Sequence, residues 1–334
     1  MSDIGVALLG CGRMGKEHAR SLAGIPEVRV VAVADPVEES AQAAQRLCRA
    51  EVALADPLEA IESPDVDAVV IVTPTDTHAS LTRAAARAGK AIFCEKPVAL
   101  DLGATKAAMR LVEQAGVPFQ IGFNRRFDAG FAGAKAQIDA GAVGQIEQFS
   151  AVGRDPAPPP LSYLQVSGGQ FLDQIVHEFD MARFLVGEVE EVEAWGAVRV
   201  DPRIGELGDT DTATTLLRFA GGALGVIESS RRAVYGYDIR AEVFGSKGKL
   251  VVEALPKTPV TRFREGGFEA DHYHFFMDRF QGAFRAEMEA FVAALIEERP
   301  PDPGPRDAIE GLRIGLAAAR SYREGRPVRV EEVR

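Results

Sequence analysis

Asp173, His177 and Asp180 recur at i, i+4 and i+7, a spacing that lines polar groups along one face of a helix. A histidine flanked by carboxylates gains basicity, which suits a group that takes the proton of a hydroxyl. Phe171, Ile175, Phe179 and Ala182 fall on the packing side of the same stretch, expected as one helix over residues 169–185 opened by Gly168-Gly169. The pattern also suits a metal pair or a solvated surface histidine, but no third ligand accompanies it, and no metal is expected. Lys96 stands in Glu95-Lys96-Pro97, where an ammonium could stabilise a developing alkoxide; a solvated surface lysine is the plainer alternative. His272 and His274 form an H-x-H in a stretch read as loop, and solvated histidines are expected there. Arg125-Arg126 and Arg231-Arg232 are short basic pairs, read as surface pairs or as anchors for a polyol or phosphate group.

Gly10-Cys11-Gly12-Arg13-Met14-Gly15 is a G-x-G-x-x-G between an apolar run and a helical pattern. Glycines at these positions allow a tight turn, close approach of a pyrophosphate and tight helix–strand packing, while the helix N-terminus offers free N–H groups. Asp35 follows Gly15 by 20 residues and ends the second apolar run. A carboxylate there bonds the ribose hydroxyls of NAD and repels the 2′-phosphate of NADP. With Pro36 next and no cation in reach, NAD is expected over NADP. Arg13, Met14, Thr73, Pro74 and Glu95 complete the expected cofactor contacts.

These groups need a scaffold, and the apolar periodicity describes one. Short strands are expected at residues 5–9, 28–34, 68–72, 91–94 and 117–122, with helices at 13–22, 38–47, 79–88 and 102–114 between them. Short runs buried on both faces and alternating with alanine-rich helices describe an α/β domain, a parallel doubly wound Rossmann sheet, over residues 1–123. Glu95-Lys96-Pro97 then closes a strand at the sheet's carboxyl edge, where ligands bind in such folds. After Phe123 the strands lengthen and follow one another, at 189–200, 212–219, 223–229 and 239–244. Gly221-Gly222 and Gly245-Ser246-Lys247-Gly248 mark hairpin turns, and Arg154 to Pro160 a stiff extended loop. An α+β C-terminal domain with a large open, mostly antiparallel sheet is expected over residues 124–334, for substrate binding and oligomerisation.

Composition narrows the function classes. Of 334 residues, 46% are hydrophobic and 26% charged, a globular composition long enough for two cores. The net charge of -11 argues against nucleic acid and anionic membrane as partners. Apolar runs are far shorter than the ~20 residues of a membrane helix, and Met1-Ser2-Asp3-Ile4-Gly5 lacks the marks of a secretory leader. Cys11, Cys48 and Cys94 are odd in number and form no C-x-x-C, so free thiols in a cytoplasmic protein are expected.

Together these motifs resemble the glucose–fructose oxidoreductase / inositol dehydrogenase / MocA family over essentially the whole chain, and most of all its inositol 2-dehydrogenase branch. The resemblance is carried by the glycine turn, Glu95-Lys96-Pro97 and the helix of Asp173 and His177. It extends to Gly122-Phe123-Asn124-Arg125-Arg126-Phe127-Asp128, Arg154-Asp155-Pro156, Met181-Ala182-Arg183-Phe184-Leu185 and Tyr235-Gly236-Tyr237-Asp238. It implies a catalytic trio: His177 takes the hydroxyl proton, Asp173 orients and charges His177, and Lys96 holds the reacting oxygen. Arg126, Asp155 and Tyr235 would meet the substrate hydroxyls. The implied reaction is NAD-dependent oxidation of a cyclic polyol, myo-inositol to 2-keto-myo-inositol. The alternatives are scyllo-inositol or an aldose, a cofactor-retaining enzyme that couples two sugars, or a non-catalytic NAD sensor. A homotetramer or dimer packed through the second sheet is implied as well. One departure stands out: Phe280 and Phe284 occupy a tail stretch where relatives often carry a tyrosine.

Overall fold

The computed structural model describes residues 3–334. The chain divides into two compact units, one of residues up to Phe127 together with Gly282–Glu310, the other of Asp128–Gln281 with Gly311–Arg334. Where the sequence reads as passing once into a second domain at residue 124, the segment Gly282–Glu310 thus lies with the first unit.

The first unit is a six-stranded parallel sheet built from β1 (Ile4–Leu9), β2 (Val28–Ala34), β3 (Val52–Leu54), β4 (Ala68–Ile71), β5 (Ala91–Glu95) and β6 (Phe119–Gly122). Helices α1 (Arg13–Ala23), α2 (Glu38–Cys48), α3 (Pro57–Glu62), α4 (Thr75–Arg87) and α5 (Leu102–Ala115) alternate with them. The sheet order is β3-β2-β1-β4-β5-β6, so direction of winding reverses between β1 and β4. In an open parallel sheet the crevice beyond the strand carboxyl ends at that reversal is the ligand site. Gly10, Asp35, Thr73 and Lys96 each follow the end of a strand and stand at that edge.

Side chains of Val6 and Leu8 from β1, Phe93 from β5, Leu22 from α1 and Met288, Phe291 and Val292 from the helix Gln281–Ile296 form one buried cluster. Each such side chain contributes about 1.5–3 kcal/mol by leaving water. The helix Gln281–Ile296 therefore belongs to this core for the ordinary hydrophobic reason, although far away in sequence. The short β3 and α3 were absent from the sequence expectation. β3 is a three-residue edge strand with no fully buried residue, so it carries no periodic signal. α3 does carry one: Asp56 caps it by accepting from the Leu58 amide at 2.9 Å, with Pro57 at its first turn.

The second unit centres on a seven-stranded sheet. Its strands are β7 (Ile146–Arg154), β8 (Val189–Ala197), β9 (Thr212–Phe219), β10 (Leu224–Ser230), β11 (Asp238–Gly245) and β12 (Gly248–Val252), with β15 (Val328–Arg329) at one edge. β13 (Pro256–Arg264) and β14 (Gly267–His272) pair only with each other. The order β12-β11-β7-β10-β9-β8-β15 is antiparallel throughout except for β10 beside β7, so the sheet is mixed and mostly antiparallel. Both glycine turns form as expected, at the β9–β10 and β11–β12 hairpins.

Four expectations need correction. β7 replaces a segment given no strand; its buried positions are Phe149, Ala151 and Gly153, too small and too few to read as a run. The β13–β14 hairpin is exposed at every residue and shows no apolar alternation, so His272 closes a strand where loop was expected. The single helix over residues 169–185 is interrupted into Gln170–Asp173 and Val176–Leu185. At the break the Ile175 amide reaches back five residues to the Gln170 carbonyl at 3.0 Å, a widened turn of the kind that marks functional helices. That widening separates the three polar positions: Asp173 and His177 are partly exposed, whereas Asp180 is wholly buried.

Candidate active site

The glycine turn has the geometry its sequence implies. Gly10 has φ +96°, and a Cβ there would meet the Val72 backbone at 2.6 Å. A Cβ on Gly15 would lie 2.1 Å from the Gly10 carbonyl oxygen, so the helix can begin this close to the strand only with glycine. Gly12 caps α1 without a side-chain hydrogen bond, and open space lies where its side chain would be. Uncapped N–H groups facing open space form a seat for a pyrophosphate. Asp35 stands beside it: Oδ2 accepts from the Cys11 amide at 2.8 Å and Oδ1 from the Val37 amide at 2.9 Å. These residues fit NAD, with Asp35 able to take the ribose hydroxyls.

Three buried cysteines back this region, all as free thiols. Burial, then the charge of Asp35, pushes the Cys11 thiol up to about 12, and burial raises Cys48 and Cys94 too. None is a nucleophile at neutral pH.

The turn that carries Lys96 is held in part by two histidines that the sequence did not single out, His78 and His18. His78 on α4 bonds the Thr73 carbonyl through Nε2 at 2.7 Å and the Pro97 carbonyl through Nδ1 at 2.9 Å, tying together two loops at the sheet edge. The Lys96–Pro97 bond is cis. Glu95 turns inward, with Oε1 on His18 Nε2 at 2.8 Å and Oε2 accepting the Lys96 amide at 3.2 Å. Arg126, also in this unit, pairs with Asp307 at 2.8 Å.

In the second unit, Asp173 ends the short helix and His177 is the second residue of the next. Gly168 and Gly169, each at φ +86°, admit the chain to this helix, and a Cβ on Gly169 would crowd Asp209 Oδ1 at 3.0 Å. Asp173 Oδ1 accepts from the Tyr163 hydroxyl at 2.7 Å, while its Oδ2 lies 3.7 Å from Nη1 of the wholly buried Arg231. The other end of Arg231 bonds Asp209 Oδ2 at 3.2 Å, and Asp209 Oδ1 in turn accepts the Gln170 amide at 2.8 Å. Next along the chain, Gln174 donates to Asp155 Oδ2 at 2.7 Å and to the Ser230 carbonyl at 3.0 Å. Asp155 and Asp173 are thus fixed to one short helical hinge. Tyr235 donates to Asp238 Oδ2 at 2.6 Å, and Arg154 Nη1 donates to the Tyr235 hydroxyl at 3.1 Å.

Sequence reasoning missed Tyr163, Gln174 and the role of Arg231, whose partners Asp173 and Asp209 come from a helix and a loop elsewhere in the chain; Arg231-Arg232 was read as a surface pair or an anchor for a polyol or phosphate, and Arg231 has no exposure. Phe280 is buried edge-on against Tyr237 at 6.1 Å, under the Arg279 guanidinium. Phe284 is buried against His18 at 5.9 Å in the first unit. Both rings are packing elements.

Comparison with known proteins places these features. Residues 4–123 match the oxidoreductase family with an NAD-binding Rossmann fold, and residues 131–251 the GFO/IDH/MocA C-terminal domain. A myo-inositol 2-dehydrogenase of Thermotoga maritima is 43% identical, covering 98% of this chain and 99% of its own. A scyllo-inositol 2-dehydrogenase (NAD(+)) of Bacillus subtilis is 39% identical over 98% of this chain and 97% of its own. Among solved structures, a probable dehydrogenase from Thermotoga maritima superposes with TM-score 0.97 at 42% identity, covering 99% of this chain and 100% of that one. Scyllo-inositol dehydrogenase from Lactobacillus casei with bound NAD(H) and scyllo-inositol gives 0.93 at 30% identity, over 99% and 100%. A glycine turn with its carboxylate partner, a mixed second sheet and full-length likeness agree: the chain belongs to the GFO/IDH/MocA family of NAD-binding oxidoreductases.

Proposed function

We propose that this protein oxidises one secondary hydroxyl of a cyclic polyol to a ketone with NAD, with myo-inositol giving 2-keto-myo-inositol as the leading pair. The observation that carries the reading is the held pair at the helical hinge, Asp173 fastened by Tyr163 and Arg231 and followed one turn on by His177. Full-length relatives named for myo- and scyllo-inositol support the substrate class.

NAD, when bound, supplies the hydride acceptor. Gly10, Gly12, Arg13, Met14 and Gly15 would seat its phosphates, Asp35 would take the ribose, and Thr73, Pro74 and the Glu95 turn would hold the nicotinamide end. His177 takes the hydroxyl proton as the carbon gives up its hydride, and Asp173 orients His177 and stabilises the charge it gains. Lys96 holds the reacting oxygen as charge develops on it. Products are ketone, NADH and a proton. Arg126, Asp155 and Tyr235 meet the remaining hydroxyls, with Asp307 and Asp238 orienting the first and last of these.

A scyllo-inositol or aldose substrate is the second reading, and the relative named for scyllo-inositol supports the first of these. Turnover assays with each polyol separate the two, and tight NAD binding without any polyol-dependent NADH would instead mark a sensor.

We further place the chain in the cytoplasm as a homotetramer. Three buried free thiols suit a reducing compartment, and among the described residues no helix is long and apolar enough to cross a membrane. One face of the second sheet exposes Trp195, Leu216, Leu224 and Phe244 at 51%, 40%, 54% and 40%, an apolar strip suited to burial against another copy.

A further inference from the structure

His18 on α1, Glu95 at the end of β5 and Glu287 on the helix Gln281–Ile296 bring one side-chain nitrogen or oxygen each to within 4.8 Å of one another. His18 and Glu287 have no exposure at all. His18 Nε2 and Glu95 Oε1 form a hydrogen bond of 2.8 Å, but neither oxygen of Glu287 has a hydrogen-bond partner. Two ionised carboxylates this close in an apolar interior need a counter-charge.

A metal ion and a proton are the candidates, and the surroundings choose between them. The rings of Phe93 and Phe284 lie 5.3 and 5.9 Å from the His18 ring, and Phe291 lies 6.0 Å from Phe93. Among the described residues no further histidine, cysteine or carboxylate joins the three, so a cation would lack a fourth protein ligand and has a dry wall instead of water. A proton needs no such shell.

The two carboxyls differ in a way that settles where it sits. Burial acts on both. For Glu95 it is outweighed by the hydrogen bond and charge of His18 and the charges of Lys96 and His78, and the group stays below the usual carboxylate range. Burial and the charge of Glu95 both push Glu287 well above that range. Gln120 of β6 donates to the Glu287 backbone carbonyl at 3.1 Å, which fixes the helix there and brings no charge to the carboxyl.

We propose that Glu287 carries a proton at neutral pH and turns it toward Glu95, forming with His18 a buried three-group clamp on the Glu95 carboxylate. The clamp matters because Glu95 Oε2 receives the Lys96 amide, at a spot where a Cβ on Gly122 would stand 3.1 Å from the same oxygen. His18 and Glu287 are therefore positioning residues for Lys96, in an inference that rests on the role given to Lys96 above.

Two readouts on the full chain test it. Infrared spectroscopy with 13C-labelled glutamate at neutral pH should show a protonated-carboxyl band that Glu287→Gln removes. Kinetically, Glu287→Leu should lower kcat roughly tenfold to a hundredfold with polyol KM little changed, the scale of a small misplacement of a reacting group. Glu287→Gln, which still donates, should restore most of it. A neutral-pH spectrum without that band, a stoichiometric metal in the purified protein, or Glu287→Leu within twofold of wild type overturns the proposal. Should Glu287→Leu not fold, the band and Glu287→Gln decide alone. Lys96→Ala with undiminished turnover would remove the role of Lys96 while leaving the band in place, so the two failures are distinct.

Discussion

Arg231 holds Asp173 and Asp209 from a position that water does not reach: its Nη1 lies 3.7 Å from Asp173 Oδ2, and its Nη2 donates to Asp209 Oδ2 at 3.2 Å. A buried guanidinium between two carboxylates offsets half of their combined charge, and removing it leaves both without a counter-charge. Arg231→Leu is expected to cost about 3–5 kcal/mol of stability, the usual penalty for breaking a buried pair from one side. Urea denaturation checks this; a change below about 1 kcal/mol, the scale of an exposed pair, would mean that the cluster is hydrated.

Asp35 accepts two backbone amides and so presents its carboxylate in a fixed orientation. Asp35→Ser is expected to lower kcat/KM for NAD by about 10–100-fold, the range for losing hydrogen bonds to a charged group, and to raise the relative use of NADP. Steady-state kinetics with both cofactors tests the assignment. An unchanged NAD/NADP ratio contradicts it.

How much of this was legible in the sequence follows from where each residue's partners lie. The glycine turn and Asp35 were readable because their chemistry is local to one β-α-β unit, and the buried parallel strands advertise themselves as apolar runs. His18, His78 and Glu287 were not, because each acquires its meaning from a group that only folding brings near: His18 meets Glu95 across 77 residues of sequence. The hinge at Gln174 was hidden for another reason. Its φ of -86° and ψ of -57° stay helical, and only the five-residue bond of Ile175 betrays the widened turn. The β13–β14 hairpin carries no buried face for a pattern to report.

Asp238 links stability to pH near Tyr235. Burial opposes its ionisation, but hydrogen bonds from Arg240 and Tyr235 and the charges of Arg240 and Arg154 outweigh that and hold it below the usual carboxylate range. A depressed folded-state value means that its contribution is complete above the unfolded carboxylate range and is lost as pH falls through the folded value. Asp238→Asn should therefore lower the Tm at pH 7, with the gap from wild type closing toward pH 3. Parallel Tm curves across that window would show that Asp238 is not the coupled group.

The apolar strip on the second sheet makes a prediction about assembly. Leu216→Glu, at a position 40% exposed in the single chain, should leave the fold intact and shift the protein to smaller species by light scattering. A tetramer that survives the substitution would place the interface elsewhere.

The most direct test of the account is NADH formation at 340 nm by the purified protein, offering NAD and NADP each with myo-inositol, scyllo-inositol and D-glucose, alongside His177→Ala. The account predicts turnover with NAD and myo-inositol, and a loss of about 10²–10⁴-fold in the variant, the range for removing a positioned base. Tight NAD binding with no polyol-dependent NADH, or a His177→Ala protein as active as wild type, would contradict it.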